Sequence, residues 1–225
     1  MMDSDLRNAE TWVFDLDNTL YCASSNLFAQ ISARMTDFIA ELLDVDHAEA
    51  FRVQKSYFHE YGTTLRGLMS LHDIDPHSFL AHVHDIDLGL IDLDPALDTA
   101  LGGLPGRKII FTNGSTDHAH RIMNRLGVAD HFDGVFDIAD SKFVPKPDPL
   151  VYQALIERHD IDPERAVMVE DMARNLKPAS DLGMTTVWVR TDTVWGCEGS
   201  DSDYIDHRLD NLSAWLDALP GSVHL

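Results

Sequence analysis

The chain has 225 residues, 44% of them hydrophobic, with 38 acidic and 17 basic residues and a net charge of −21 at pH 7. This is the length of one large domain, or of a core with an insertion. The acidic balance and the lack of any Lys/Arg cluster argue against a nucleic-acid polymer as partner, and neither a leader-like start nor an apolar run of spanning length is present.

Thr11-Trp12-Val13-Phe14 reads as a short buried strand. It runs into Asp15-Leu16-Asp17-Asn18-Thr19. Alternate side chains of an extended segment share a face, so Asp15 and Asp17 can point into one site while Leu16 turns away. Two carboxylates that close repel unless a cation or a shared proton lies between them. The segment therefore predicts a divalent metal, acid–base chemistry, or both. The cysteines nearest and farthest from it, Cys22 and Cys197, have no metal-like spacing and predict free thiols in a reducing cytoplasm.

From Tyr21 to Asp94 the pattern is helical, with no convincing strand. Apolar residues at Leu27, Ile31, Met35, Phe38, Ile39 and Leu42 predict a helix over Leu27–Leu43. Ala48–Tyr61, Thr64–Leu71 and Pro76–His84 predict three more, the first stopped by Gly62. Residues 21–94 thus read as an all-helical cap inserted into a core made of residues 1–20 and 95–225.

Beyond the insertion, strands alternate with helices. The predicted strands are Lys108–Thr112, Gly134–Ile138, Ala166–Val169 and Thr185–Val189, with a last short one at Tyr204–Leu209. The predicted helices are Thr116–Leu126, Pro149–His159, Ala173–Leu182 and Leu212–Leu219. Gly127 and Gly183 close two of them. This order implies βαβ units and a Rossmann-like parallel sheet of the α/β class. Gly102–Gly106 lacks dinucleotide-binding spacing and is read as a loop. His-Asp-Ile-Asp-Pro occurs at 72–76 and again at 159–163, where a helix ends and a proline starts the next.

Ligands of open parallel sheets bind beyond the carboxyl ends of the strands. The residues that follow the apolar runs are Asp15 and Asp17, Thr112-Asn113-Gly114-Ser115, and Glu170-Asp171, with Lys146 in a Pro-flanked loop before a helix. A carboxylate can act as nucleophile toward phosphorus, and a second can carry the proton. A metal held by acids screens the charges, while a hydroxyl, amides and an ammonium steady the phosphoryl oxygens.

Asp15-Leu16-Asp17-Asn18-Thr19, Thr112-Asn113, Lys146-Pro147 and Glu170-Asp171, in that order, resemble the four motifs of haloacid dehalogenase-superfamily phosphatases. The resemblance implies that Asp15 is the nucleophile and Asp17 the acid/base. It implies that Asp15, the Asp17 carbonyl and Asp171 hold Mg2+, with Glu170 in or beside that shell, and that Thr112 and Lys146 grip the phosphoryl group. Phe14–Tyr21, with Tyr61-Gly62-Thr63-Thr64-Leu65-Arg66-Gly67-Leu68 and His72, is similar to the pyrimidine 5′-nucleotidase branch. This finer resemblance implies UMP and CMP as substrates, and Asn113, Arg66, Tyr61 and His72 as substrate contacts. The expected partner is a small phosphorylated metabolite, with no membrane, and the protein a monomer or homodimer.

Other functions fit less well. A dehalogenase needs no second acid two residues after the nucleophile, and Asp17 is present. A phospho-acceptor receiver domain is about half this length and carries its acceptor after a later strand. A phosphomutase or sugar phosphatase shares the core and would differ only in the cap. The histidines His82, His84, His118 and His120 are assigned surface or capping roles. Tyr57, Phe58 and Tyr61 are assigned to helix packing within the cap.

Overall fold

The computed structural model describes Leu6 and residues 8–219. Six parallel strands form one sheet in the order β3-β2-β1-β4-β5-β6. They are β1 (Thr11–Phe14), β2 (Arg107–Phe111), β3 (Gly134–Phe136), β4 (Ala166–Glu170), β5 (Thr185–Val189) and β6 (His207–Leu209). β1 lies between β2 and β4, with Phe14 opposite both Ile110 and Val169. That register brings the residues after three strands out side by side at one edge.

The strands are near-continuous apolar runs because both faces of the sheet are covered. Val13, Ile109, Phe111, Phe136 and Met168 face α7 (Pro149–His159) and α8 (Leu176–Asp181). Trp12, Phe14, Ile110, Val167 and Val187 belong to the opposite core, with α5 (Pro95–Gly103), α6 (Thr116–Leu126) and α9 (Leu212–Asp217).

Between β1 and β2 lie α1 (Leu27–Leu43), α2 (His47–Tyr61), α3 (Thr64–His72) and α4 (Pro76–Val83), with no strand among the described residues. Their buried faces (Ile31, Ile39, Leu68, Phe79) join the same apolar cluster as Phe14 and Ile110. The insertion is therefore packed onto the core, not tethered beside it. Side-chain caps start three of the four. Asp46 accepts from the Glu49 amide, Thr63 from that of Arg66, and Asp75 from those of His77 and Ser78.

The repeated His-Asp-Ile-Asp-Pro has one geometry at both places. Asp73 and Asp160 end a helix in the left-handed region, at φ 49° and 50°. Asp75 and Asp162 then cap the next turn, with proline at its first positions. The pentapeptide is a helix-to-helix corner used twice.

Three elements depart from expectation. Helix α5 was not anticipated, since its run ends in Gly102-Gly103. Asp94 caps it, Pro95 opens it, and Leu97, Ala100 and Leu101 are buried on the side where α9 packs. The stretch expected as one helix over Ala173–Leu182 is a 3-10 turn, Ala173–Asn175, followed by α8. Pro178 has no N–H to give to the carbonyl four residues back, which denies an α-helix its continuity there. The last strand shortens to β6.

Gly67 marks a close approach of α3 to α2 within the insertion. A Cβ there would lie 2.5 Å from the Cβ of Tyr57, on α2. Gly67→Ala should therefore destabilise the protein by about 1–3 kcal/mol through overpacking, despite the gain of about 1 kcal/mol that alanine brings as a helix former. A thermal melt that rises or stays level in this variant would contradict the close α2–α3 contact.

Candidate active site

Asp15 follows β1, and its amide donates to Val169 O at 2.9 Å, prolonging the pairing with β4. The residue is 6% exposed. Lys146 Nζ reaches Asp15 Oδ1 at 2.7 Å, Glu170 Oε2 at 2.6 Å and Phe111 O at 2.9 Å. Thr19 Oγ1 donates to Asp15 Oδ2 at 2.9 Å. One ammonium thus ties the ends of β1, β2 and β4 together. Asn113 holds the lysine in place from the backbone: its Oδ1 accepts from the Lys146 amide at 2.9 Å. Thr112 is buried beside it, and its Oγ1 accepts from the Gly114 amide at 2.9 Å.

Glu170 spends both oxygens within the protein, Oε2 on Lys146 and Oε1 on the Met172 amide at 3.1 Å. Asp171 is 4% exposed, and its carbonyl accepts from Trp188 Nε1 at 2.7 Å. Ligand oxygens of Asp15, Glu170 and Asp171 can lie within 4.8 Å of one another. Burial, then the charge of Glu170, push Asp15 up to about 7 against the pull of Lys146. The same two causes, with Asp15 third, raise Asp171 well above the usual carboxylate range. The trio holds more negative charge than Lys146 offsets. Asn175 Oδ1, on the same cavity wall, is buried with no partner among the described residues. Crowded carboxylates and an orphaned amide oxygen form the hard-oxygen donor set that a magnesium-type cation takes, so the residues fit such an ion.

Asp17 sits differently. Its Oδ1 accepts from Tyr21 Oη at 2.7 Å and pairs with His118 Nε2 at 2.8 Å. Burial pushes its acidity down, but the His118 and Tyr21 contacts outweigh that and hold it at about 2. His118 is fully buried, although the sequence had placed it among surface or capping histidines. His84 is also buried and stacks on it, with ring centroids 4.1 Å apart and planes within 9°. A usable signal existed: His118 lies in the first turn of the helix that follows the Thr112 strand end, the position facing the ligand edge of a parallel sheet.

One cavity joins these groups to the helical insertion. Asp15, Asp17, Thr112, Asn113, Lys146, Glu170 and Asp171 lie along its floor, and Phe28, Met35, Lys55, Phe58, Phe79 and Trp195 along its walls. Phe58, expected as packing, is one of those walls. Arg66, Tyr61 and His72 do not line it. Arg66 Nη1 donates to Phe143 O at 3.3 Å, His72 Nε2 meets Tyr57 Oη at 2.7 Å, and Tyr61 packs edge-on against Tyr57. Helix spacing alone did not tell which side of α2 and α3 faces the cavity.

Comparison with known proteins is consistent with this architecture. The sequence model of haloacid dehalogenase-like hydrolases matches residues 10–183. The chain is 30% identical over 191 residues to phosphate metabolism protein 8 of Saccharomyces cerevisiae, an alignment covering 78% of the chain and 60% of the yeast protein. The chain thus spans about 60% of that relative's length. It is 28% identical over 221 residues to a glyceraldehyde 3-phosphate phosphatase of Methanocaldococcus jannaschii, covering 91% of the chain and 94% of the relative. Among solved structures, a phosphatase from Thermococcus onnurineus shares the fold with a TM-score of 0.63 at 21% identity, covering 95% of the chain and all of that structure.

The acidic trio generates a prediction about metal and pH. Folding raises Asp15 and Asp171 above their ordinary 3.8. Holding them ionised in the metal-free protein therefore opposes folding increasingly as pH rises from about 4 through 7. Protons compete with a bound cation for the same oxygens. Added Mg2+ should raise the melting temperature more at pH 8 than at pH 5, and Asp171→Asn should remove most of that gain. An equal Mg2+ shift in Asp171→Asn and the parent would place the ion elsewhere.

Proposed function

The chain belongs to the haloacid dehalogenase-like hydrolases, and on that premise we propose that it is a magnesium-dependent phosphomonoesterase that hydrolyses pyrimidine nucleoside 5′-monophosphates through an aspartyl-phosphate on Asp15. The observation that carries the reaction is the single buried ammonium of Lys146 bridging Asp15 and Glu170 at the sheet edge, with Asp17 opening onto the same cavity. The cavity's aromatic walls, Phe28, Phe58, Phe79 and Trp195, support a leaving group that carries a flat ring able to stack on them. Lys55, on the same wall, forms no ion pair among the described residues and can donate to a ring carbonyl.

In the first half-reaction an Asp15 carboxylate oxygen bonds to phosphorus while the bond from phosphorus to the ester oxygen breaks. Asp17 gives its proton to that oxygen, and the nucleoside leaves as an alcohol. In the second half, Asp17 takes a proton from water as the water oxygen attacks phosphorus, releasing phosphate and restoring Asp15. Asp17 is held as a carboxylate in the free protein, which suits the base. The negative charge of an arriving phosphate favours its protonated form for the acid step. Lys146, Thr112 and the amides after it meet the charge on the phosphoryl oxygens. Asp15, the Asp17 carbonyl and Asp171 would hold magnesium, with Glu170 and Asn175 beside it, and the ion would supply charge screening between carboxylate and phosphate.

Two measurements test this reading. Asp15→Asn should abolish turnover while leaving the melting temperature near that of the parent, and retained activity would remove Asp15 as nucleophile. In a panel of nucleotides and sugar phosphates with Mg2+, UMP and CMP should give the highest kcat/KM. Phe58→Ala should raise KM for them about tenfold with kcat little changed, as loss of a stacking face implies. A panel led by a hexose phosphate would overturn the substrate assignment and leave the phosphatase chemistry standing.

A further inference from the structure

Asp17 is gripped by one oxygen only. Tyr21 Oη and His118 Nε2 both meet Oδ1, at 2.7 and 2.8 Å, while Oδ2 has no hydrogen-bond partner among the described residues. His118 has no other side-chain hydrogen bond among the described residues, for its Nδ1 is buried without a partner there. His84 lies flat against this ring. His84 Nδ1 meets Ser115 Oγ at 3.0 Å, and the same hydroxyl accepts the His118 amide at 3.3 Å, as the cap of α6.

The helix that carries His118 also fastens the segment leading back from the insertion. Arg121 donates to His84 O at 2.7 Å and to Ile86 O at 3.2 Å. Arg125 donates to Leu88 O at 3.2 Å and to Ile91 O at 2.6 Å. Residues 118, 121 and 125 fall on one stripe of the helix. One face of α6 therefore sets both the Asp17 contact and the seat of residues 84–91.

We propose that His118 and Tyr21 are positioning residues that pin Asp17 by Oδ1, so that Oδ2 is the oxygen that carries the proton to and from the reacting oxygens, with His84 bracing the His118 ring from the insertion. This rests on the phosphatase reading above. A carboxylate held at one oxygen by two donors from different elements has lost its rotational freedom, so its second oxygen faces the leaving group without a search. Neither His118 nor Tyr21 needs to touch the substrate for this.

The test exploits leaving groups that differ in their need for a proton. kcat/KM covers the steps through departure of the leaving group. An alkyl ester needs Asp17 there, whereas p-nitrophenyl phosphate releases a stabilised phenolate that leaves unprotonated. The alkyl ester used is whichever of UMP, CMP or glycerol phosphate the parent turns over fastest. His118→Ala should lower kcat/KM for the alkyl ester by about 100-fold or more, the scale of general acid catalysis, and for p-nitrophenyl phosphate by less than about fivefold on the same reasoning. His118→Gln, which restores a donor, should recover about a tenth or more of the lost alkyl rate. Tyr21→Phe keeps the ring and removes the other donor, so it serves if His118→Ala does not fold, and it should show the same selective loss. Equal losses for both esters in a variant with parental circular dichroism, or no loss for the alkyl ester, would overturn the inference. Parent protein inactive on every ester would instead defeat the phosphatase reading beneath it.

Discussion

The rest of the site depends on one buried ammonium. Three strands end at the same sheet edge, and two of them end in carboxylates that water barely reaches. Carboxylates buried so close together would repel strongly. Lys146, on a loop outside the sheet, reaches in and binds one oxygen of Asp15, one of Glu170 and the carbonyl that ends β2. It offsets part of the charge and leaves a net negative pocket. A pocket with that balance of charge and hard oxygens fits a divalent cation.

The two aspartates two residues apart have opposite environments, and the opposition follows from their neighbours. Asp15 shares its space with Glu170 and Asp171 and is pushed up to about 7. Asp17 shares its space with a phenol and an imidazole and is held at about 2. Pairs of acids driven apart in this way are the usual basis for dividing nucleophile from proton carrier on one fold. The insertion takes part in the second environment through His84, so the helices that form the cavity's walls also bear on the surroundings of Asp17.

Much of this was legible before any coordinates. β1, α1, α6, α7 and β5 run as the periodicity implied; Ser115 caps α6 and left-handed Gly127 ends it, and Asp148 caps α7 ahead of Pro149. The strand ends could be read as a site because parallel topology forces them to one edge. Reading failed where local signals conflict with packing. Helix α5 ends in two glycines, yet its buried leucines hold it against α9. The run over Ala173–Leu182 has helical spacing, yet Pro178 breaks it. Arg66, Tyr61 and His72 are polar residues on short helices, and their partners proved to be Phe143 and Tyr57, not the cavity.

The sequence by itself determined the class of fold, the order of its elements and the acids, hydroxyl and lysine that meet at the sheet edge. Those follow from periodicity and chain order, which are local or topological properties. Only the tertiary structure decided which face of each inserted helix looks into the cavity, and that His118, 101 residues from Asp17 along the chain, would be its partner. Side-chain contacts between distant segments depend on packing angles and burial that no window of sequence encodes.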